Sequence, residues 1–124
     1  MRVQLQLVSC VLLLVGCASD LRHDQLTNIP LAQKPSIPRT EAECLAARQY
    51  WTEQGLPGGS KSCAVRTNDA RKICTAQNQC EGECLVADAL PIGAKAIGSC
   101  SEWVANFGCH KFIEGDRVRE ICSD

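Results

Sequence analysis

Cysteine content constrains this chain more than any other feature. Ten of its 124 residues are cysteine, against two Trp, one Tyr and two Phe. A chain so poor in large apolar groups buries too little surface to hold a fold by hydrophobic contact alone, and crosslinks take over part of that task. Disulfides persist only in oxidising compartments, so the same composition points to an extracytoplasmic address. The length allows one folded domain.

The start of the chain has the layout of an export signal. Residues 1–16, MRVQLQLVSCVLLLVG, carry a positive charge at Arg2, an apolar run from Leu7 to Val15 and a small residue at Gly16. That run is shorter than the roughly 20 residues that cross a bilayer as a helix. The next residue is Cys17, and Leu14-Val15-Gly16-Cys17 resembles a bacterial lipobox. The resemblance implies a diacylglycerol joined to the Cys17 sulfur, cleavage before Cys17 by a lipoprotein signal peptidase, and acylation of the new amino group. The residue types suit that chemistry, because a thiol is nucleophilic enough to form the thioether and Gly16 leaves the neighbouring bond accessible. Several acyl chains anchor stably where one binds only marginally. An uncut membrane helix, or a secreted protein with Cys17 in a disulfide, are the competing readings. In such lipoproteins an aspartate after the modified cysteine retains the protein at the inner membrane. Ala18 stands there, so the resemblance implies the outer membrane, with the domain in the periplasm or at the surface.

Processing at Cys17 removes Cys10 and assigns Cys17 to lipid. Eight cysteines remain: Cys44, Cys63, Cys74, Cys80, Cys84, Cys100, Cys109 and Cys122. An even number is what a disulfide framework requires, though eight cysteines allow about 105 connectivities. The pairing we favour is Cys44 with Cys63, Cys74 with Cys84, Cys80 with Cys100, and Cys109 with Cys122. The last rests on geometry. FGCHKFIEGDRVREIC reads as a hairpin turning at Glu114-Gly115-Asp116, which brings Cys109 and Cys122 to one face of paired strands.

The expected fold is a small disulfide-rich α+β domain over residues 40–124. Residues 17–39 form a tether, since Pro30, Pro35 and Pro38 interrupt either regular structure. Its Ala18–Arg39 stretch spans roughly 25 Å as flexible chain. Thr40 and Glu43 have the spacing of a capping box, and Gly55 offers a stop before Pro57, predicting a helix over about 41–54. That helix would set Cys44, Ala47 and Trp51 toward the core with Tyr50 beside them. A small antiparallel sheet follows, with a strand around Cys100 and the C-terminal hairpin. Alternation places Phe107, Cys109, Lys111 and Ile113 on one side of the first hairpin strand, and Val118, Glu120 and Cys122 on one side of the second.

Between these, Cys74, Cys80 and Cys84 are spaced C-x5-C-x3-C, with Asn, Gln, Glu and Gly in the gaps, which suits a tight crosslinked loop. The run Asp69-Ala70-Arg71-Lys72-Ile73-Cys74, with QCEGEC and the later GSC, resembles a pattern in small secreted bacterial proteins of unknown function. Knottin-like modules share the spacing. The resemblance transfers no activity.

Nothing in the sequence assembles a catalytic set. G-x-S-x-G, H-E-x-x-H and G-x-x-x-x-G-K are absent, and no C-x-x-C pair supports zinc or thioredoxin-like chemistry. No cofactor or metal is expected. Glu81 and Glu83 flank Gly82 and could share acid and base roles, but solvated loop charges are the simpler reading. His23 lies in the tether, leaving His110 alone for histidine chemistry. A formal net charge of −1 gives no grip on nucleic acid. The expected role is therefore binding or envelope structure, with an envelope protein or a glycan as partner and the membrane engaged through lipid on Cys17. The loop LVADALPIGAKAIGS, residues 85–99, is the candidate recognition surface, or equally a segment that fills the core. The alternative role is an inhibitor presenting that loop to a hydrolase.

Overall fold

The computed structural model describes residues 26–124. Cys10, Cys17, Ala18 and His23 lie outside the described residues.

Helix α1, Glu41–Ala46, starts as expected. Thr40 Oγ1 accepts from the Glu43 amide at 3.3 Å, and the Glu43 carboxylate accepts from the Thr40 amide at 3.3 Å. It ends eight residues before the expected stop at 54. Arg48 adopts a left-handed φ of 56°, which breaks the helical path, and the chain leaves as strand β1, Tyr50–Glu53. The Tyr-Trp-Thr run favours a strand, and β1 gains an antiparallel partner in β2, Lys61–Ala64. Trp51 lies opposite Cys63 in that register. Ala47, expected on the core face, is exposed, while Trp51 still packs against buried Cys44, Cys63 and Val65. Tyr50, one residue earlier, falls on the opposite face of the hairpin, because strand side chains alternate.

Five short strands form the second sheet: β3 Ile73–Cys74, β4 Cys84–Leu85, β5 Gly98–Cys100, β6 Gly108–Glu114 and β7 Arg117–Ser123. They run antiparallel in the order β3-β5-β4-β6-β7. The strand expected around Cys100 is β5, and the C-terminal hairpin is β6–β7. Its turn is Gly115-Asp116, with Gly115 at φ 63°, a conformation that glycine adopts without steric penalty. Cys109 faces Cys122, Lys111 faces Glu120, and Ile113 faces Val118. Phe107 lies outside β6, and Gly108, at φ 81°, interrupts the extended path between it and the strand.

The four disulfides join Cys44 to Cys63, Cys74 to Cys84, Cys80 to Cys100, and Cys109 to Cys122, the pairing favoured from the sequence. Crosslinks supply most of the core. Among the described residues the buried apolar side chains are six cysteines with Val65, Ile113 and Val118. One cluster gathers Cys74, Cys80, Cys84 and Cys100 around Ile113, with Val86 and Ala96 against it. The other is Cys44, Cys63 and Val65, with Trp51 and Val104. Cys109 and Cys122 are exposed.

The segment after β4 closes over the hairpin. The Val86 amide donates to the Lys111 carbonyl at 3.0 Å, the Gly93 amide to the Val118 carbonyl at 2.8 Å, and the Val118 amide to the Ala94 carbonyl at 2.8 Å. Lys111 Nζ donates to the carbonyls of Asp88 and Leu90 at 2.6 and 2.8 Å. The candidate recognition loop is thus largely a cover for β6 and β7. At the other end, the chain before α1 touches the domain: the Ile29 amide donates to the Asn78 carbonyl at 2.7 Å.

Candidate functional site

The site that best combines exposure with chemistry lies between the β1–β2 hairpin and residues 103–107. Three rings border it: Tyr50 from β1, Trp103, and Phe107, with Tyr50 52 % and Phe107 38 % exposed. The edge of one ring meets the face of the other at Tyr50 and Trp103, whose centroids are 5.8 Å apart at 81°. Ala64 and Ala105 complete the apolar lining, and their small side chains leave a groove of about 550 Å³. Thr52, Gln54 and Asn106 supply its polar groups. Among the described residues no charged side chain lines it.

The frame behind the rings is well fixed. Residues 102–104 continue the β2 side of the hairpin: the Thr67 amide donates to the Glu102 carbonyl at 3.0 Å and the Val104 amide to the Val65 carbonyl at 2.9 Å. Arg66, bridged to Trp103, holds its guanidinium carbon 5.0 Å from the Trp103 centroid and 5.6 Å from that of Tyr50. Glu102 keeps that guanidinium in place with an ion pair at 3.2 Å. Ser101 Oγ donates to the Trp103 carbonyl at 2.7 Å while accepting from the Glu83 amide at 2.9 Å. A side chain at Gly82 would collide with Ser101 and Trp103, so that glycine is required for the close approach.

Glu83 is not the solvated loop charge expected from the sequence. Its side chain is 19 % exposed, and Oε2 lies 2.9 Å from His110 Nε2 and accepts from Asn106 Nδ2 at 2.7 Å. The imidazole contact has ion-pair distance without hydrogen-bond alignment, and Nδ1 is buried without a partner. Glu81 turns elsewhere, accepting from the Asn68 amide at 2.7 Å. The two carboxylates therefore do not share a site. The nearby hydroxyls of Ser101 and Ser123 donate to the carbonyls of Trp103 and Asn106, so the Glu83–His110 pair faces no free nucleophile among them. It acts as a strut from the chain after Gly82 to β6 and, through Asn106, to the groove.

The sulfurs of Cys74, Cys80 and Cys100 lie within 4.8 Å of one another. All three belong to disulfides, and a disulfide sulfur is not the thiolate a metal requires. A second groove, of about 670 Å³, runs between residues 28–34 and Ala76–Asn78, beside Gly115. It is the seam where the N-terminal segment lies on the domain. The loop over β6 and β7 exposes Ile92 and Ile97, at 59 % and 71 %.

Tyr50, expected beside the core face of a helix, borders the groove instead, together with Trp103 and Phe107, for which the sequence suggests no site role. The available signal was the Tyr-Trp pair itself, since strand alternation sends one ring of such a pair outward. Nothing local connects Tyr50 with Trp103. Among the described residues no helix is long and apolar enough to cross a membrane. No family model, no curated protein and no solved structure matches the chain.

Proposed function

We propose that this protein is a lipid-anchored component of a bacterial envelope whose disulfide-rich domain binds a partner and carries out no chemistry. Residues 14–17 support the anchor through their likeness to a lipobox, and Ala18 supports the outer membrane as its destination. Four disulfides agree with an extracytoplasmic site. The observation that carries the binding reading is the open aromatic groove of Tyr50, Trp103 and Phe107 on a crosslinked frame. A rigid frame lowers the entropy lost on association, and a membrane tether raises the local concentration of partners at the same surface.

The test has two arms. In a two-membrane bacterium the full chain takes up labelled palmitate and Cys17→Ala does not, while an immobilised domain beginning at Ala18 retains an envelope component that an Ala64→Leu domain, its groove filled, does not. Palmitate uptake by Cys17→Ala sinks the anchor. Turnover of a substrate, abolished by His110→Gln with the fold intact, sinks the non-catalytic reading.

A second reading, a hydrolase inhibitor presenting residues 85–99, draws on the way Lys111 and Arg117 hold that loop by its carbonyls. Residues 88–93 pass through two turns and offer no extended stretch for a protease cleft, which favours the groove.

A further inference from the structure

We infer that the groove between Tyr50, Trp103 and Phe107 is a site for an uncharged saccharide, one or two pyranose rings of a longer glycan. The inference rests on the binding reading above and names its ligand class.

Three properties of the groove lead there. The first is its charge. Among the described residues none of the lining groups is ionised, and Arg66, the cation over two of the rings, is engaged by their faces and by the Glu102 carboxylate. The carboxylate behind the groove, Glu83, is likewise engaged, by Asn106 Nδ2 at 2.7 Å and beside His110, so the charges around the groove already have partners and a neutral ligand fits better than an ion.

The second is its polar inventory. Asn106 donates from Nδ2 to the Glu83 carboxylate, which can only accept, so the amide orientation is fixed and Oδ1 remains as an acceptor. Gln54 gives one end of its amide to Ser62 Oγ at 2.8 Å and keeps the other. Among the described residues no hydrogen bond engages the hydroxyls of Tyr50 or Thr52. These groups suit a ligand that both donates and accepts through several small groups at ring-sized separations. Sugar hydroxyls do so. A proline-rich peptide, the other common occupant of aromatic grooves, lacks N–H donors at its prolines and leaves Asn106 Oδ1 unpaired.

The third is shape. The C–H face of a pyranose is flat and weakly positive, matching the negative face of an aromatic ring; Arg66 lies over Tyr50 and Trp103, so Phe107 is the ring on which a sugar stacks, with the other two bordering the groove of about 550 Å³. That falls within the roughly 300–1,000 Å³ of small-ligand sites, and a shallow groove with few polar contacts sets the titration range at about the millimolar scale.

The chain has two tryptophans, which makes the test specific. Trp103 borders the groove, whereas Trp51 packs on the other face of the hairpin against Cys44 and Cys63. In an isotope-labelled domain beginning at Ala18, the two indole N–H signals are followed by NMR during titration with two neutral tetrasaccharides, maltotetraose and the tetramer of N-acetylglucosamine. Heparin and a proline-rich decapeptide are titrated in parallel. Saturable movement of the Trp103 signal with at least one neutral tetrasaccharide, with Trp51 still, is the expected result. Ala64→Leu, which leaves all three rings in place, weakens that binding at least about tenfold. Phe107→Ala weakens it as well, and unmoved β6–β7 amide shifts in both variants establish that the fold is kept. No movement with either tetrasaccharide up to about 20 mM, roughly tenfold beyond the expected range, overturns the inference. Movement with heparin or the decapeptide alone overturns it too. Loss of saccharide binding with envelope capture still sensitive to Ala64→Leu defeats this inference alone; loss of both defeats the binding reading.

Discussion

Among the apolar regions of this domain that are open to solvent, the loop between β4 and β5 and the groove beside β1 differ in what their polar atoms are doing. The loop between β4 and β5 exposes Ile92 and Ile97, but its carbonyls at Asp88, Leu90 and Gly93 accept from Lys111 and Arg117, and its amide at Gly93 bonds to β7. The groove beside β1 exposes Tyr50 and Phe107 and keeps the Tyr50, Thr52, Gln54 and Asn106 groups available. Apolar exposure alone does not distinguish a binding surface from a structural cover, because folded proteins expose much apolar surface in any case. Free hydrogen-bonding capacity next to that surface does. The loop belongs with the hairpin, and the groove is the surface we propose for a ligand.

The disulfides separate the two regions most strongly. Cys80–Cys100 lies in the cluster that holds Ile113, Val86 and Ala96, under the loop, while Cys44–Cys63 lies behind Trp51, under the groove. Replacing both Cys80 and Cys100 with alanine is expected to cost about 2–5 kcal/mol, enough to unfold a domain this small. Replacing Cys44 and Cys63 is expected to loosen β1 and β2 and the groove first. Urea unfolding together with hydrogen exchange checks both. Equal loss of protection at β1 and β7 on removal of Cys44–Cys63 would show the two regions to be one cooperative unit.

Lys111→Met keeps the stem and removes the ammonium from two loop carbonyls. The expected effect is about 1–2 kcal/mol, since bonds to a charged donor exceed ordinary ones. Amides of residues 87–96 should exchange faster while the Trp103 indole stays unchanged. Acceleration confined to β1–β2 contradicts the assignment of the loop to the hairpin.

Arg66→Gln acts on the groove. Loss of the cation from the Tyr50 and Trp103 faces is expected to cost about 0.5–1 kcal/mol at this exposed place. The readout is wider motion of both rings by side-chain relaxation, with loop exchange unaltered.

The smallest effect belongs to pH. The Lys95 ammonium, 3.2 Å from Asp116, and the neighbouring Arg117 hold the Asp116 carboxyl below its ordinary value. A carboxyl depressed in the folded state stabilises at pH above its unfolded value, about 3.9, and that contribution is lost as pH falls through the folded value. The pair is exposed, so the change is slight and screened by salt. Between pH 5 and pH 2.5, roughly spanning that transition, the Lys95–Asp116 link between loop and turn should open before the β6–β7 register changes. Lys95→Met should weaken this dependence in the Asp116 titration followed by NMR, with Arg117, 3.2 Å from the same carboxylate, keeping the remainder.

Features that are local, or that repeat at a strand's period, were legible in the residues alone. The capping box needs only Thr40 and Glu43 three positions apart. The hairpin register follows from alternation on either side of Gly115-Asp116, and with it the pairing of Cys109 and Cys122. The length of α1 was not legible, because residues 47–54 carry a helix-compatible pattern and a strand-forming Tyr-Trp-Thr run together. The choice fell to β2, which offers β1 a hydrogen-bonding partner and places Cys63 against Cys44. Glu83 read as a loop charge because neither His110 nor Asn106 is near it in sequence. The groove is the most non-local feature of all. Tyr50, Ala64 and Phe107 come from separate segments, joined only because residues 65–67 pair with 102–104 and Gly82 leaves room behind them. Sequence by itself determined which cysteines, caps and turns the chain has, since these depend on residue type and short spacing. Tertiary structure alone decided which aromatic side chains remain exposed together, since that depends on which distant strands find each other.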